Sequence, residues 1–383
     1  MNTTNPFAEQ TRTPIGAKQP VIKAIGLGGA GQNAINRMIE LGIQGIEFIS
    51  ANTDAQALKT SKAPLKIQLG PRITRGLGAG GNPEIGEAAA EESYTTLTAA
   101  LTGADMVFLT AGMGGGTGTG SIPVVARAAR ATGAVVVAIV STPFSFEIGR
   151  RQQNAREGLS KLRLHTDTLI TVPNDRLLQG SAINLPLDLA FRMADDVLRQ
   201  GIQGITELIT MPGIINVDFS HIKAMMMRGG GALLAMGLGE GQNKAYKAVE
   251  RALHHPMLDD IPIENATGII ANFSGGTDLA FFEVAEALSY LQQKTHSQAE
   301  IIPGLTCDER MGNHAQVILI ITGLGATSVD QVSAVPHRET VEPPIPVVFG
   351  TPVQRQRAEP SALEMAAAQT DLDLPAFLRR RGR

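Results

Sequence analysis

The stretch Gly112-Met113-Gly114-Gly115-Gly116-Thr117-Gly118-Thr119-Gly120 decides the fold, because six of its nine residues are glycine. A strand pattern ends near Ala111 before it, and a helical pattern starts near Ile122 after it. Glycine permits positive φ and close approach of a ligand to the backbone, but ordering it costs conformational entropy. Since a structural turn does not need six glycines, we interpret the stretch as a loop whose N–H groups and two threonine hydroxyls wrap a phosphate. It contains no lysine, which excludes the P-loop pattern.

A second glycine loop, Gly26-Leu27-Gly28-Gly29-Ala30-Gly31-Gln32-Asn33, lies between a strand pattern and a helical pattern. The unpaired N–H groups and positive dipole end of a helix start make such a loop an anion site. A tight strand-to-helix turn explains the same residues. The spacing of Gly26, Gly28 and Gly31 also fits the dinucleotide fingerprint, and Glu47 follows at a suitable distance for its acid. An NAD-dependent oxidoreductase therefore remains an alternative on this loop alone.

A third glycine-rich segment, Gly76-Leu77-Gly78-Ala79-Gly80-Gly81-Asn82-Pro83, follows the strand pattern at 65–69. It is compatible with a mobile surface loop. It is equally compatible with a cap on the far end of a polyphosphate, to which Gly80 would contribute its backbone.

The order of the patterns predicts an α/β protein with a mostly parallel sheet, because strands alternate with helices through the first half. The predicted strands there are 21–25, 46–49, 65–69, 106–109, 134–140 and 168–172, and the predicted helices include 34–41 and 87–101. A long helix is predicted at 187–209. After it we predict helices at 244–253 and 279–291 and strands at 268–273 and 316–322.

These patterns predict a Rossmann-like first domain, a long central helix and a second, smaller α/β domain. The prolines of 328–360 predict a disordered linker, and the apolar and basic end predicts a docking peptide. The predicted boundaries are an N-terminal arm at 1–20, the first domain at 21–186, the central helix at 187–213, the second domain at 214–327, the linker at 328–368 and the tail peptide at 369–383.

Composition narrows the classes of partner and compartment. A formal net charge of -3 argues against nucleic acid, which requires a basic surface. Cys307 is the single cysteine, so an internal disulfide or a multi-cysteine metal site is not possible. No apolar run approaches the roughly 18 residues of a membrane span, and the first twenty residues lack the apolar core of a signal peptide. We expect a soluble, cytoplasmic protein without direct membrane insertion.

The stretch 112–120 is similar to the tubulin signature G-G-G-T-G-[ST]-G in its FtsZ form. Further segments between 21 and 326 resemble the same family, and the tail Asp373-Leu374-Pro375-Ala376-Phe377-Leu378-Arg379-Arg380 resembles its C-terminal peptide, which binds membrane tethers and division regulators. These further segments are 52–58, 76–80, 143–147, 171–175 and 216–219. The resemblance implies a tubulin/FtsZ-like fold, binding of GTP or GDP with Mg²⁺, and head-to-tail self-assembly into filaments at the division site of the cell.

The resemblance also implies roles for individual residues. Asn33 and Asp195 would read the guanine edge, Phe191 would stack on the base, and Glu147, Arg151 and Asn174 would hold the ribose end and the nearby phosphate. The residues of the three glycine loops would surround the phosphates: Gly28, Gly29, Ala30, Gly31, Gly80, Gly112, Gly114, Gly115, Gly116, Thr117, Gly118 and Thr119. Structural alternatives are a core position for Phe191, a helix-surface ion pair between Glu147 and Arg151, and a solvated face for Asp195. Metal ligands among the side chains stay unassigned.

The resemblance implies a catalytic loop, Asn-x-Asp-x-x-Asp, that reaches the γ-phosphate of the neighbouring subunit. Here Asn216 and Asp218 match it, but His221 replaces the second acid. An adjacent triphosphate favours the protonated imidazole, which cannot act as a base. We therefore expect filament formation with slow GTP hydrolysis. The alternatives are ordinary GTPase activity, a nucleotide-gated scaffold with little or no activity, and the oxidoreductase, which leaves 112–120 and the catalytic loop unexplained.

Overall fold

The computed structural model describes residues 19–147, 149–178, 186–210, 218–228, 231–254, 258, 263–296 and 299–324. These residues belong to one compact unit. The predicted linker at 328–368, the tail peptide at 369–383 and most of the predicted N-terminal arm lie outside the described residues, as does Asn216.

The described strands form one ten-stranded sheet in the order β3-β2-β1-β4-β5-β6-β7-β10-β8-β9. The strands are β1 (Ile22–Leu27), β2 (Glu47–Asn52), β3 (Leu65–Gln68), β4 (Met106–Gly112), β5 (Val135–Thr142), β6 (Thr168–Pro173), β7 (Gly231–Glu240), β8 (Gly268–Gly275), β9 (Glu300–Cys307) and β10 (His314–Thr322). The first six strands are mutually parallel, which confirms the predicted parallel sheet. In the second half β10 runs antiparallel to both β7 and β8, whereas β9 is parallel to β8.

The helices connect these strands and cover both faces of the sheet. Their bounds are α1 (Gly28–Glu40), α2 (Ala55–Lys59), α3 (Pro71–Thr74), α4 (Pro83–Glu92), α5 (Tyr94–Leu101), α6 (Thr117–Ala131), α7 (Arg150–Arg163), α8 (Asn174–Leu178), α9 (Leu187–Thr210), α10 (Phe219–Met227), α11 (Lys244–Leu253) and α12 (Phe281–Lys294). The predicted long helix corresponds to α9, and the prediction at 244–253 matches α11.

The sheet is continuous between the two halves. β6 pairs in parallel with β7 through Leu169 opposite Gly231 and Ile170 opposite Ala232. On one face, α9 packs Leu198, Ile202 and Ile205 in the same buried cluster as side chains of β5, β8 and β10. The central helix therefore rests on both halves of one sheet. The predicted domain boundaries remain a prediction, since no gap in the sheet marks them.

Three sequence-based expectations on secondary structure were wrong or incomplete. The helix after 112–120 begins at Thr117 rather than near Ile122, so half of the glycine stretch is the first turn of α6. The single helix predicted at 87–101 is divided into α4 and α5 at Ser93, whose hydroxyl accepts the Gly70 N–H at 3.0 Å. The strands β7 and β9 and the helix α10 were not predicted.

The two missed strands contain residues that disguise a strand pattern. In β7, a Cβ atom on Gly239 would lie 1.8 Å from the Lys244 carbonyl oxygen, so glycine there lets α11 lie directly on the strand. In β9, Pro303 and Gly304 interrupt the apolar run. β9 is the last strand in the sheet order, and edge strands accommodate proline because one side has no partner.

The start of α6 packs against α4 with almost no side-chain volume between the two backbones. A Cβ atom on Gly120 would lie 1.9 Å from the Pro83 carbonyl oxygen and 2.6 Å from the Glu87 nitrogen. Backbone atoms cannot move aside as a flexible side chain can. This glycine is therefore required by packing, contrary to our expectation that a structural turn would not need so many glycines.

We predict that Gly120→Ala destabilises the protein by about 1–3 kcal/mol or more, the usual cost of overpacking a core. The measurement is the free energy of unfolding from urea denaturation. The control is Ser121→Ala on the same helix, because the buried Ser121 hydroxyl has no hydrogen-bond partner and its removal leaves no other group unpaired. Equal stability of Gly120→Ala and the parent chain would contradict the packing described above.

Candidate active site

The candidate site lies where the carboxyl ends of parallel strands meet the N-termini of two helices. β1 ends at Leu27 and α1 begins at Gly28, while β4 ends at Gly112 and α6 begins at Thr117. The first N–H groups of a helix have no partner inside the helix, and the dipole makes that end positive. Two such ends therefore face one cavity, which has a volume of about 270 Å³.

The two glycine loops are in direct contact. A Cβ atom on Gly28, which has a φ of 68°, would lie 3.0 Å from the Gly118 nitrogen. A Cβ atom on Gly31 would lie 2.3 Å from the Thr110 carbonyl oxygen, so α1 packs tightly on β4. These close approaches bring the two helix N-termini to the same cavity, as an anion-binding site requires.

Most of the predicted nucleotide-binding residues line this cavity. They are Gly28, Gly29, Ala30, Gly112, Gly115, Gly116, Thr117, Gly118, Glu147, Arg151, Asn174, Phe191 and Asp195.

Gly114 and Thr119 hold the phosphate loop together and do not line the cavity. The Gly114 N–H donates to Thr119 Oγ1 at 2.8 Å, and Thr119 is buried. Glycine is required at position 114 for two reasons. Its φ is 98°, and a Cβ atom there would lie 2.9 Å from the Arg151 carbonyl oxygen. The donors that remain for a ligand belong to the lining segment from Gly115 to Gly118. There the Thr117 hydroxyl lies 2.6 Å from that of the buried Thr53.

The opposite wall of the cavity carries the polar groups predicted for the ribose end. Glu147 Oε1 accepts the Phe144 N–H at 2.9 Å, and its other oxygen is paired with Arg151. Asn174 is buried at the start of α8, and its Oδ1 has no hydrogen-bond partner. A buried acceptor without a partner is costly. It lines a cavity where a sugar hydroxyl could donate to it.

Aromatic side chains lie at the end of the cavity that is predicted to hold the base. Phe191 on α9 is 39% exposed, and its ring meets the buried Phe144 edge-on at 5.4 Å between centroids. Phe146 also stacks on Phe144, with 4.9 Å between the ring centroids. The rings hold Phe191 in place while leaving part of it accessible, which suits a side chain that contacts a base rather than one buried in the core.

Asp195 lies one helical turn after Phe191 and is half-buried. Burial raises the pKa of Asp195 to about 7, although the hydrogen bond from the Asn33 side chain acts in the opposite direction. Asn33 lines an adjoining cavity of about 810 Å³, which shares Phe191 and Asp195 with the first. The pair predicted to read the guanine edge is thus in contact, where α9 packs against α1.

Other predicted residues lie elsewhere. Gly31 is buried in the first turn of α1 against β4, and Gly80 lines a neighbouring cavity of about 540 Å³ together with Thr119. Asp218 and His221 lie at the exposed N-terminus of α10 and do not line the nucleotide cavity. Their distance from it is the arrangement expected if this loop acts on a neighbouring subunit.

Several lining residues were not predicted from the sequence. Ser141 and Thr142 end β5, and Pro143 follows them; Leu27, Met113 and Ala194 also line the cavity. A usable signal existed, because ligands in open α/β sheets bind at the carboxyl ends of the central strands. The apolar run of β5 identified it as central, so the residues at its end were candidates.

Comparison with known proteins agrees with this geometry. Residues 21–182 match the Tubulin/FtsZ family, GTPase domain, and residues 230–325 match the FtsZ family, C-terminal domain. A mutant of FtsZ from M. jannaschii is 46% identical over 80% of this chain and 91% of its own, with a TM-score of 0.77. The chain belongs to the FtsZ family. It is a GTP-binding, self-assembling protein with a GTPase domain, and the comparisons do not favour the scaffold without activity or the oxidoreductase.

Two further solved structures extend the comparison. An empty FtsZ dimer from M. jannaschii is 43% identical over 86% of this chain and 96% of its own, with a TM-score of 0.78. The GTPγS-bound protofilament of CetZ2 from Haloferax volcanii is 19% identical over 82% of this chain and 96% of its own, with a TM-score of 0.68. The FtsZ dimer supports self-association in this FtsZ-family chain, and the similarity to CetZ2 shows the fold alone. Among the described residues, no helix has the length and apolar character that crossing a membrane requires.

We predict that Gly115→Ala and Gly29→Ala weaken GTP binding at least about fivefold while leaving stability nearly unchanged, because steric overlap costs about 1–3 kcal/mol. These are the two glycines lining the cavity where a Cβ meets no protein atom within 4 Å and φ is not positive. The added methyl groups would contact no protein atom and would occupy only the space that is predicted for the ligand. Calorimetric GTP titration and thermal unfolding measure the two effects. Unchanged GTP affinity in both variants would contradict this use of the cavity.

We also predict that GTP affinity rises about tenfold from pH 6 to pH 8, the change in ionised fraction for a group with a pKa near 7. We take the ionised Asp195 carboxylate to accept hydrogen bonds from N–H groups of the guanine edge; protonation converts one acceptor oxygen into an O–H donor that cannot pair with them. Titrations at several pH values should show a rise in affinity about tenfold larger for the parent chain than for Asp195→Asn, which binds more weakly. Protonation of GTP itself contributes equally in both proteins. The same slope in both would show that Asp195 does not contact the base.

Proposed function

We propose that this chain hydrolyses GTP slowly in a head-to-tail filament, with each active site completed by the next subunit. The observation that supports this most directly concerns the acids of the cavity. Among the described lining residues these are Glu147 and Asp195. Glu147 is engaged by Arg151 and the Phe144 N–H, and Asp195 is held by Asn33 at the base end. Neither is available to activate a water molecule beside the phosphates.

In this proposal the glycine loops bind the phosphates and the neighbouring subunit supplies the group that orients water. Backbone N–H groups between Gly115 and Gly118 stabilise the negative charge on the phosphate oxygens, as preorganised donors do at low cost. Water attacks the γ-phosphorus, and the bond to the β-phosphate oxygen breaks to give GDP and phosphate. Such a reaction depends on positioning and charge stabilisation more than on covalent chemistry.

Asp218 is well suited to act across a subunit contact. It caps α10, with Oδ1 accepting the Ser220 N–H at 2.9 Å. Its hydrogen bonds with Ser220 lower the pKa of Asp218, and nearby His221 contributes in the same direction, so the exposed carboxylate is ionised at neutral pH. An ionised, exposed carboxylate can accept a hydrogen bond from water or from another subunit.

His221 is the reason for proposing slow hydrolysis. It lies in the first turn of α10, where its N–H donates to the Asp218 carbonyl oxygen at 3.0 Å, and its side chain is exposed. Beside a neighbour's triphosphate the protonated imidazole pairs with phosphate oxygens and strengthens the contact between subunits. The same proton removes its capacity to accept one from water.

A divalent cation, Mg²⁺, accompanies the triphosphate in this proposal. Among the described residues, no group of three or more His, Cys, Asp or Glu side chains is placed to hold a metal. We therefore propose that phosphate oxygens and water supply most of the Mg²⁺ ligands, as they often do for this ion. We also propose that the protein is cytoplasmic and localises to the division site, because it belongs to the FtsZ family. From the tail sequence, we propose that residues 371–383 bind membrane tethers or division regulators.

We predict that His221→Asp raises steady-state GTP turnover by at least about tenfold, since a positioned general base contributes about 10²–10⁴-fold. An acidic residue in the first turn of a helix is also electrostatically favourable, so folding should be retained. GTP turnover and light scattering are recorded together, because scattering reports assembly independently of hydrolysis.

The matched control is His221→Asn, which removes the imidazole without supplying an acid. It should weaken assembly but leave turnover slow. Equal and rapid turnover in the parent chain and His221→Asp would overturn the proposal that this chain hydrolyses GTP slowly. Scattering with no measurable turnover in either would instead support the nucleotide-gated scaffold.

A further inference from the structure

The Asn154 side chain, on the face of α7 towards the glycine loops, bridges two of them. Its Nδ2 donates to the Gly114 carbonyl oxygen at 3.3 Å and to the Gly81 carbonyl oxygen at 3.4 Å. A side-chain amide nitrogen has two N–H donors, one for each carbonyl. The opposite amide orientation would direct Oδ1 at two carbonyl oxygens, so the partners themselves determine which way the amide faces.

On one side of the bridge, Gly114 is held from three directions. Thr119 accepts its N–H, Asn154 donates to its carbonyl oxygen, and the Arg151 backbone occupies the place of its missing side chain. Gly114 precedes the lining donors of the phosphate loop. The position of α7 therefore determines how those donors face the cavity.

On the other side, the tip of the segment 76–82 has few contacts of its own. Gly80 and Gly81 have φ values of 58° and 77°, and a Cβ atom on either would meet nothing within 4 Å. The base of the segment is better fixed. An isolated bridge joins Leu77 to Asp54, and a Cβ on Gly116 would lie 2.8 Å from the Asn82 nitrogen. Asn154 thus provides a side-chain hydrogen bond at the part of the segment that packs least.

We propose that Asn154 is a positioning residue that ties the tip of 76–82 to the phosphate loop and thereby favours GTP over GDP. The proposal rests on the proposed nucleotide site and on the sequence-based expectation that Gly80, which lines the neighbouring cavity in this structure, caps the far end of the polyphosphate. A tip already held in place loses less conformational entropy when it closes over a ligand. Only the triphosphate extends far enough to gain from that cap, so the tether acts on GTP more than on GDP.

Attachment of α7 to the sheet does not depend on this amide. Gly158, one turn further along α7, packs so closely that its Cβ would lie 2.4 Å from Thr119 Cγ2 and 2.8 Å from Met113 Cε. Asn154 can therefore be replaced with the helix still anchored. A loss confined to one nucleotide would then report the tether rather than the fold.

The experiment compares Asn154→Ala, Asn154→Asp and the neighbouring control Gln153→Ala by calorimetric titration with GTP and with GDP. Gln153 is exposed and lines the same neighbouring cavity as Gly80, but its amide donates to Glu157 on its own helix rather than to either loop. We expect Asn154→Ala to weaken GTP binding about fivefold to tenfold, as the loss of one or two neutral hydrogen bonds does. GDP binding should change less than twofold or so, and Gln153→Ala should bind both nucleotides like the parent chain.

Asn154→Asp distinguishes the hydrogen bonds from packing, because the side chains have the same shape but the carboxylate faces two carbonyl oxygens. It should lose more GTP affinity than Asn154→Ala does. Equal losses for GTP and GDP, or affinities like the parent chain in Asn154→Ala, would overturn the proposal. If Asn154→Asp does not fold, the GTP-to-GDP ratio of Asn154→Ala decides alone. Absence of GTP binding in the parent chain would instead refute the nucleotide site on which the proposal rests.

Discussion

Two helix N-termini share one cavity because glycine removes the Cβ atoms that would keep the backbones apart. Gly31 allows α1 to lie on β4, Gly120 allows α6 to lie on α4, and Gly28 allows the two loops to touch. Each contact is between backbone atoms, which have no rotamers through which to relax. The rest of the site follows from this packing, since it directs two sets of unpaired N–H groups and two positive dipole ends at one volume.

The remaining walls divide the cavity into ends with different chemistry. The end predicted for the phosphates consists of backbone donors and the Thr117 hydroxyl, whereas the end predicted for the base holds Phe191 and the Asp195–Asn33 pair on or beside the central helix. Among the described lining residues, the acids Glu147 and Asp195 lie away from the predicted phosphate end. The single subunit is therefore built for binding, and the family's mode of assembly supplies what hydrolysis lacks.

The glycine loops, the parallel sheet and the long helix could be predicted because each leaves a local pattern in the sequence. Residues such as Asn174 and Asp195 became candidates through family resemblance rather than through any local pattern. The start of α6 could not be placed, since glycine is a poor helix former and Thr117 gains its helical conformation from packing on neighbouring elements. β7 was missed because its glycines serve the contact with α11.

The sequence by itself, through its glycine loops and its resemblance to the FtsZ family, predicted a nucleotide-binding chain, and it has His221 where the family pattern has an acid. Chemical identity is a local property, and it can be recognised without coordinates. Only the tertiary structure decided which glycines serve packing and which leave room for a ligand, because that depends on backbone atoms distant in the chain. It also decided that Thr119 holds the loop rather than the phosphate, and that Asn154, unremarkable in the sequence, reaches two loops at once.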